Sequence, residues 1–122
     1  MLVGISPVLS PELLATMYRM GHGDDLGVAD LLDGILPLYA LDTYVDDPVL
    51  TMAPVPGDEL DPAVEAAFRA VIDKHQPDTA PIARLERFAF YERTREAFAV
   101  VMTGETAKYG NIILKKGVTP VD

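Results

Sequence analysis

The sequence predicts a single compact α/β domain with a central mixed sheet flanked by helices. Strand-like and helix-like runs alternate along the chain, which is the order expected of α/β folds. The 122 residues fall within the usual size of one domain, and a chain of this length buries enough surface to build a core. We therefore expect residues 1–122 to form one domain.

Charge and composition limit the classes of molecule that the protein is expected to bind. Nineteen acidic and ten basic residues give a net charge of −9, which disfavours nucleic acid and anionic membranes and favours a neutral ligand. The absence of cysteine excludes disulfides and thiolate chemistry. No secretory leader is recognisable at residues 1–7, and the longest apolar run, 97–102, is far shorter than the ~20 residues of a membrane span. The sequence predicts a cytoplasmic protein.

The N-terminal residues are predicted to form a helix followed by a turn that exposes a histidine. Ser10 and Pro11 suit a helix cap and first turn, and Gly21 suits the end of that helix. A glycine turn then displays His22. Leu26–Ala29 is predicted as a short buried strand that ends in Asp30.

Asp30 runs directly into an apolar, helix-like run at 31–38. Strand-to-helix connections usually take about 2–6 residues rich in Gly, Asn, Asp or Ser. Two interpretations follow: Asp30 makes the turn alone, or residues are missing at this point.

The remaining elements have clearer boundaries. Asp61 and Pro62 predict the cap and first residue of a helix with an apolar stripe. The other predicted elements are strands at Val49–Val55, Ile82–Leu85, Phe98–Thr103 and Ile112–Lys115, and a short helix at Phe90–Ala97.

Two residues near the first glycine turn could carry chemistry. The imidazole of His22 can give and take a proton near neutral pH, although an exposed turn histidine is an equal alternative. Asp30 would stand where ligands bind in open α/β sheets, but a helix N-cap explains it as well. His75 lies in a separate segment, so a metal site with three or four ligands is not expected.

Two later segments offer polar groups to a ligand. The stretch 84–95 mixes arginine with aromatic residues, which can stack on nucleotides, but interspersed glutamates favour solvated helix pairs. Within it, Arg87 lies outside the predicted helix and could grip a ligand oxygen. Tyr109, Gly110 and Asn111 form either a simple turn or a sugar-binding segment with a hydroxyl, a flat apolar face and an amide.

Taken together, these segments resemble the L-fucose mutarotase family, which belongs with the ribose pyranases. The resemblance runs in order through nearly the whole chain. It is carried by Ile5-Ser-Pro, Ser10-Pro-Glu-Leu-Leu, Met20-Gly-His-Gly-Asp, Arg87-Phe-Ala-Phe-Tyr-Glu-Arg and Thr103-Gly-Glu…Lys108-Tyr-Gly-Asn-Ile-Ile-Leu-Lys-Lys-Gly-Val.

The resemblance implies roles for the residues singled out above. His22 matches the catalytic histidine, Asp30 and Arg87 match sugar-binding residues, and Tyr109 to Asn111 match a second binding segment. It also implies a ribose pyranase/fucose mutarotase-like fold and a homo-oligomer, a ring such as a decamer or a smaller assembly, with sites near subunit interfaces. The implied reaction interconverts the anomers of a free sugar without a cofactor.

Acid–base chemistry fits that reaction. Opening a pyranose needs a proton delivered to the ring oxygen and one removed from the anomeric hydroxyl, and such catalysis contributes about 10²–10⁴-fold. We assign proton transfer to His22, with Tyr109 as its partner. Asp30, Arg87 and Asn111 would hold sugar hydroxyls.

The chain departs from the resemblance after Asp30, where the family continues with an additional loop and a further strand. Of the two explanations, we expect residues omitted from the sequence rather than a genuine deletion. A Cα separation between Asp30 and Leu31 well beyond the about 3.8 Å of a bonded pair would show an omission. If the deletion is genuine, the pocket loses a wall.

Three functions remain in competition with the leading one. The chain could be a non-catalytic monosaccharide-binding or regulatory protein of the same fold, a pyranase acting on ribose, or a structural interaction module. Anomer exchange and saturable sugar binding distinguish them.

Overall fold

The computed structural model describes residues 27–101 and 103–118. The predicted helix at Ser10, the glycine turn and His22 lie outside the described residues. In chain order the described elements are α1 (Val28–Ile35), a 3-10 helix (Leu36–Leu38), β1 (Val49–Met52), α2 (Pro62–His75), β2 (Ala83–Leu85), α3 (Arg87–Arg95) and β3 (Ile113–Leu114).

The strands form a mixed sheet of three in the order β2-β1-β3. Strand β1 pairs in parallel with β2, with Thr51 opposite Arg84, and antiparallel with β3, with Leu50 opposite Ile113. All four residues of β1 are buried, as expected for a central strand covered on both faces. The predicted mixed sheet flanked by helices is confirmed.

Helix α2 forms where the cap residues predicted it. The Asp61 carboxylate accepts a hydrogen bond from the Ala63 N–H at 3.0 Å, and Pro62 is the first helical residue. Its apolar stripe buries Phe68 and Ile72 in the core. The core cluster joins this stripe to α1, the following segment and β1, through Val28, Leu32, Leu36, Leu41, Val49, Phe68 and Ile72.

Gln76 ties the end of α2 to the segment after α1. Its side-chain amide donates to the carbonyls of Leu36 and Tyr39, and its oxygen accepts from the Leu41 N–H at 2.9 Å. Three backbone groups of an irregular segment are thereby satisfied by one side chain.

The predicted strand at Leu26–Ala29 is wrong where the structure describes it, because Val28 and Ala29 begin α1. One face of this helix is buried in the core, and it is formed by Val28, Leu31 and Leu32. The helix is continuous through Asp30 and Leu31, and the Leu31 N–H donates to the Gly27 carbonyl at 3.1 Å. The expectation that residues are omitted at this junction stays a prediction.

Strands β1, β2 and β3 are one to three residues shorter than predicted, and two other elements differ more. Helix α3 begins at Arg87, three residues before the predicted start, because the Glu86 carboxylate caps the N–H groups of Phe88 and Ala89. The predicted strand at Phe98–Thr103 is irregular in its described residues, and Phe98 is 93% exposed. A strand needs a neighbour for its backbone, and β propensity in the local sequence does not supply one.

Candidate functional site

A cavity of about 250 Å³ opens between the end of β1 and the start of α3. This is smaller than the about 300–1,000 Å³ typical of drug-sized ligands, so it suits a smaller molecule. Its lining residues are Ala53, Pro54, Val55, Pro56, Glu86, Arg87 and Phe88.

Arg87 is the cationic residue of this cavity. Its guanidinium carbon lies 4.6 Å from the centroid of the Phe88 ring, a distance at which cation and ring attract. Its Nε is buried and has no hydrogen-bond partner in the described part of the chain. Buried donors are rarely left unpaired. A ligand oxygen is therefore a suitable hydrogen-bond acceptor for the Arg87 Nε.

Asn111 carries the second orphaned atom. Among residues 27–101 and 103–118, Arg87 Nε and Asn111 Oδ1 are the buried side-chain nitrogen and oxygen atoms without a hydrogen-bond partner. Both residues were predicted from the sequence to bind a ligand. Their unused donor and acceptor are complementary to hydroxyl groups, which both give and take hydrogen bonds.

Tyr109 is anchored beside the cavity. Its φ of 59° lies in the left-handed region, which is uncommon for a residue with a side chain. The Val55 N–H donates to its hydroxyl oxygen at 3.0 Å, and the hydroxyl donates to Asp58 Oδ2 at 2.8 Å. Val55 lines the cavity together with Arg87. Tyr109 is therefore hydrogen-bonded to a residue of the cavity wall that Arg87 also forms.

Glu105 organises the loop that carries Tyr109, Gly110 and Asn111. Its Oε2 accepts from the N–H groups of Thr106 and Ala107, at 3.0 and 3.2 Å. The Gly110 N–H continues this tight winding by donating to the Ala107 carbonyl at 3.0 Å. The segment is therefore a loop wound around a carboxylate, and the hydrogen bond from Gly110 to Ala107 closes a β-turn with Lys108 and Tyr109 at its central positions.

The other carboxylate oxygen of Glu105 reaches α1. Oε1 accepts from the Val28 N–H at 3.1 Å, at a helix whose Gly27 N-cap has no side chain to do so. These backbone hydrogen bonds, those from Ala107 and Val28 foremost, hold the pKa of the Glu105 carboxyl below its usual value.

Asp30 lies in the first turn of α1 and is exposed. It is neither a strand-end carboxylate nor the N-cap, because Gly27 occupies the cap position. It does lie near the site loop: a Cβ on Gly27 would be 3.6 Å from Asp30 Oδ2 and 3.5 Å from Glu105 Oε1. His22 falls outside the described residues, so its distance from this loop is not part of the structure.

Sequence reasoning missed Asp58 and Glu105. Asp58 receives the Tyr109 hydroxyl and the Lys108 ammonium, and these hydrogen bonds, that of Lys108 first, lower the pKa of its carboxyl. The only local signal was the Pro56-Gly57 pair, which predicts a turn but not its partner. Nothing local pairs Glu105 with Val28, which is 77 positions away.

The described residues contain neither a metal-binding cluster nor a membrane-spanning helix. No group of three or more His, Asp or Glu side chains there is placed to hold a metal ion. None of the helices in that part of the chain is long and apolar enough to cross a membrane.

Known proteins are similar to this chain over nearly its whole length. Residues 25–119 match the RbsD / FucU transport protein family. The L-fucose mutarotase of Actinobacillus pleuropneumoniae serotype 5b is 50% identical, with 99% of each chain covered. That of Histophilus somni is 48% identical at the same coverage.

Solved structures of similar proteins have the same fold as this chain. FucU from Bifidobacterium longum has a TM-score of 0.74 at 36% identity, covering 95% of this chain and 99% of its own. The fucose mutarotase of Streptococcus pneumoniae, solved in complex with L-fucose, has a TM-score of 0.74 at 39% identity, covering 98% of this chain and 100% of its own.

The alignment with the Actinobacillus relative also reports on the missing segment. It runs over 143 positions whereas this chain has 122 residues, so at least 21 aligned positions have no residue here. A genuine deletion and an omission of residues both produce this difference.

Proposed function

The chain belongs to the RbsD / FucU transport protein family, and we propose on that basis that it acts as an L-fucose mutarotase. It interconverts the α and β anomers of the free sugar and is an isomerase. The observation that carries this function is 50% identity to an L-fucose mutarotase over 99% of both chains.

The reaction requires two proton movements around one bond. A proton reaches the ring oxygen as the bond between that oxygen and the anomeric carbon breaks, and another leaves the anomeric hydroxyl. The carbonyl then rotates and the ring closes on its other face. Ring opening and ring closure are both acid–base steps, so side chains can supply the chemistry.

We assign the proton transfer to His22, with Tyr109 at the anomeric end of the sugar. The sequence resemblance supports His22. The placement of Tyr109 beside the cavity supports its part in the site.

Arg87, Gly110 and Asn111 hold the sugar in this proposal. The unpaired Arg87 Nε would donate to one sugar oxygen, and the unpaired Asn111 Oδ1 would accept from another hydroxyl. Gly110 keeps the loop tight around Glu105. Asp30 would take a hydroxyl at the edge of the loop, from its place beside Glu105.

We further propose that the chain is one domain, that a segment present in its relatives is omitted from the sequence after Asp30, and that the protein works in the cytoplasm as a homo-oligomer. Exposed apolar side chains support the oligomer, since Phe98, Val100 and Val101 are 93%, 61% and 44% exposed. Light scattering on the purified protein tests it, and a monomer at all concentrations contradicts it.

Exchange NMR tests the function. Saturating the α-anomeric proton of equilibrated L-fucose should reduce the β signal when the protein is added, and the His22→Ala variant should abolish the transfer while remaining folded. Exchange that survives His22→Ala unchanged contradicts the catalytic assignment. Faster exchange of ribose than of L-fucose would identify a pyranase.

A non-catalytic sugar-binding protein is the second candidate, and a genuine deletion after Asp30 would favour it because a pocket can lose a wall and still bind. Saturable L-fucose binding without exchange above buffer would establish this alternative. Absence of both binding and exchange would leave only an interaction module.

A further inference from the structure

The Tyr109 hydroxyl is committed on two of its three hydrogen-bonding positions. A phenol has one donor hydrogen and an acceptor oxygen, whose two lone pairs are unequal because one is conjugated with the ring and accepts more weakly. The hydrogen points to Asp58 Oδ2 at 2.8 Å, and one lone pair receives the Val55 N–H at 3.0 Å. One lone pair is left uncommitted in the described part of the chain.

Both partners come from one β-turn. Pro56 and Gly57 occupy the two central positions, Gly57 has φ 85°, and the Asp58 N–H donates to the Val55 carbonyl at 3.0 Å. This is the type II pattern, which requires a positive φ at its third residue. The turn therefore fixes a donor, from Val55, and an acceptor, from Asp58, at a set spacing around a single oxygen.

Lys108 completes the arrangement from the other side. Its ammonium contacts Asp58 Oδ1, while Tyr109 contacts Oδ2, so adjacent residues hold the two oxygens of one carboxylate. The Lys108 side chain is 69% exposed and that of Asp58 is 23% exposed. The carboxylate is thus the more fixed member of the pair.

We propose that Asp58 is a positioning residue that fixes the direction of the Tyr109 O–H bond. With its hydrogen turned towards Asp58, Tyr109 meets the sugar through the uncommitted lone pair and accepts a hydrogen bond from a sugar hydroxyl. The proton delivered to the ring oxygen then comes from elsewhere in the site. This inference rests on the proposed function and assigns Tyr109 the role of hydrogen-bond acceptor towards the sugar, not that of the group that takes its proton.

A pair of double variants isolates the accepting oxygen. Asp58→Asn with Lys108→Met and Asp58→Ala with Lys108→Met both lack the ion pair, but only the asparagine retains an oxygen for Tyr109. We expect the asparagine double variant to keep kcat/KM for L-fucose exchange within about threefold of the parent, and the alanine one to lose about tenfold, or roughly the worth of one hydrogen bond. Equal activity of the two double variants overturns the proposal.

A mutant cycle tests whether Asp58 acts through Tyr109. In the Tyr109→Phe background the hydroxyl is absent, so Asp58→Ala should change kcat/KM by less than about twofold. A further loss of about tenfold in that background would mean that Asp58 acts independently of Tyr109, and the proposal would fail.

Tyrosine labelled with ¹³C at Cζ gives a readout that does not depend on activity. The Tyr109 signal, assigned by its loss in Tyr109→Phe, should shift in the alanine double variant and stay near its original position in the asparagine one. A signal that is the same in both overturns the proposal. If the parent protein shows no anomer exchange, the proposed function fails, and this signal still reports whether Asp58 holds the hydroxyl.

Discussion

Glu105 and Val28 lie 77 positions apart in the chain, and a carboxylate oxygen of Glu105 accepts the Val28 N–H at 3.1 Å. One side chain thereby caps α1 and anchors the loop that carries Tyr109, Gly110 and Asn111. Negative charge at the first turn of a helix also interacts favourably with the helix dipole. The stability of α1 and the shape of the site loop are linked through this residue.

Replacing Glu105 by alanine should therefore lower the free energy of unfolding by about 1–2 kcal/mol, the usual cost of losing a cap and its hydrogen bonds. Urea unfolding measures the change. Hydrogen exchange of the Val28 amide should also become faster. The control is Glu96→Ala, because Glu96 is an exposed glutamate at the end of α3; equal losses in both variants would contradict the role given to Glu105.

Gly110 and Gly27 both face Glu105 and give a matched pair. A Cβ on Gly110 would lie 2.6 Å from Glu105 Cγ and 2.9 Å from the Ala107 carbonyl oxygen, whereas one on Gly27 would be no closer than 3.5 Å to its neighbours. Gly110→Ala should cost about 1–3 kcal/mol because the carbonyl belongs to the backbone and cannot move aside cheaply. Gly27→Ala should cost under about 1 kcal/mol.

Thermal unfolding of the two variants measures this contrast, and exchange NMR adds a second readout. Gly110→Ala should also slow L-fucose exchange, since it displaces the loop between Tyr109 and Asn111. A Gly27→Ala protein that unfolds more readily than Gly110→Ala would show that the packing around Glu105 differs from that described.

Arg87→Lys keeps the positive charge but removes the planar fork and its buried Nε. We expect KM for L-fucose exchange to rise about tenfold, the cost of one charge-assisted hydrogen bond. Unfolding free energy should stay within about 0.5 kcal/mol, because the Nε has no partner to lose in the described part of the chain. Arg93→Lys, at an exposed position of the same helix, is the control and should leave both quantities unchanged.

Asp33 gives stability a dependence on acid pH. The hydrogen bond from Lys74, and then that from His75, hold the pKa of its carboxyl below the usual 3.8. A carboxyl with a lowered folded-state pKa stabilises the protein above the unfolded-state pKa, and that stability is lost as the pH falls through the folded-state pKa. Asp33→Asn should therefore destabilise the protein at pH 6, by less than about 1 kcal/mol for so exposed a pair.

The difference between parent and Asp33→Asn should shrink as the pH falls below the unfolded-state pKa of about 4, and it should vanish below the folded-state pKa. Urea unfolding at a series of pH values measures it. Asp78→Asn serves as the control because Asp78 is exposed at the loop after α2 and should give a constant difference. A difference between parent and Asp33→Asn that persists unchanged at pH 2 would contradict the assignment.

Elements whose ends depend on neighbouring residues were predicted correctly from the sequence, whereas elements that depend on distant residues were not. Asp61 and Pro62 predicted the start of α2 correctly because cap and proline act on the next few residues. The start of α1 was missed, since its N-terminus is capped by Glu105, and the apolar run at Phe98 was assigned to a strand on propensity alone.

The same distinction applies to the site. Arg87 and Asn111 were recognised from residue type and neighbouring motif, and both have unpaired buried atoms. Asp58 was not recognised, because its importance arises only when Tyr109, 51 positions later, reaches it.

The pairing of β3 has a consequence for protein synthesis. It joins Val49 to Leu114, and the isolated bridge joins Leu41 to Lys116. Since a chain emerges from the ribosome in order, β1 must wait for its last neighbour until nearly all of the described sequence has been translated. The side of β1 that receives β3 stays an open strand edge during that interval, a form prone to pairing with other chains. We therefore expect premature termination before Ile113 to yield an aggregating fragment.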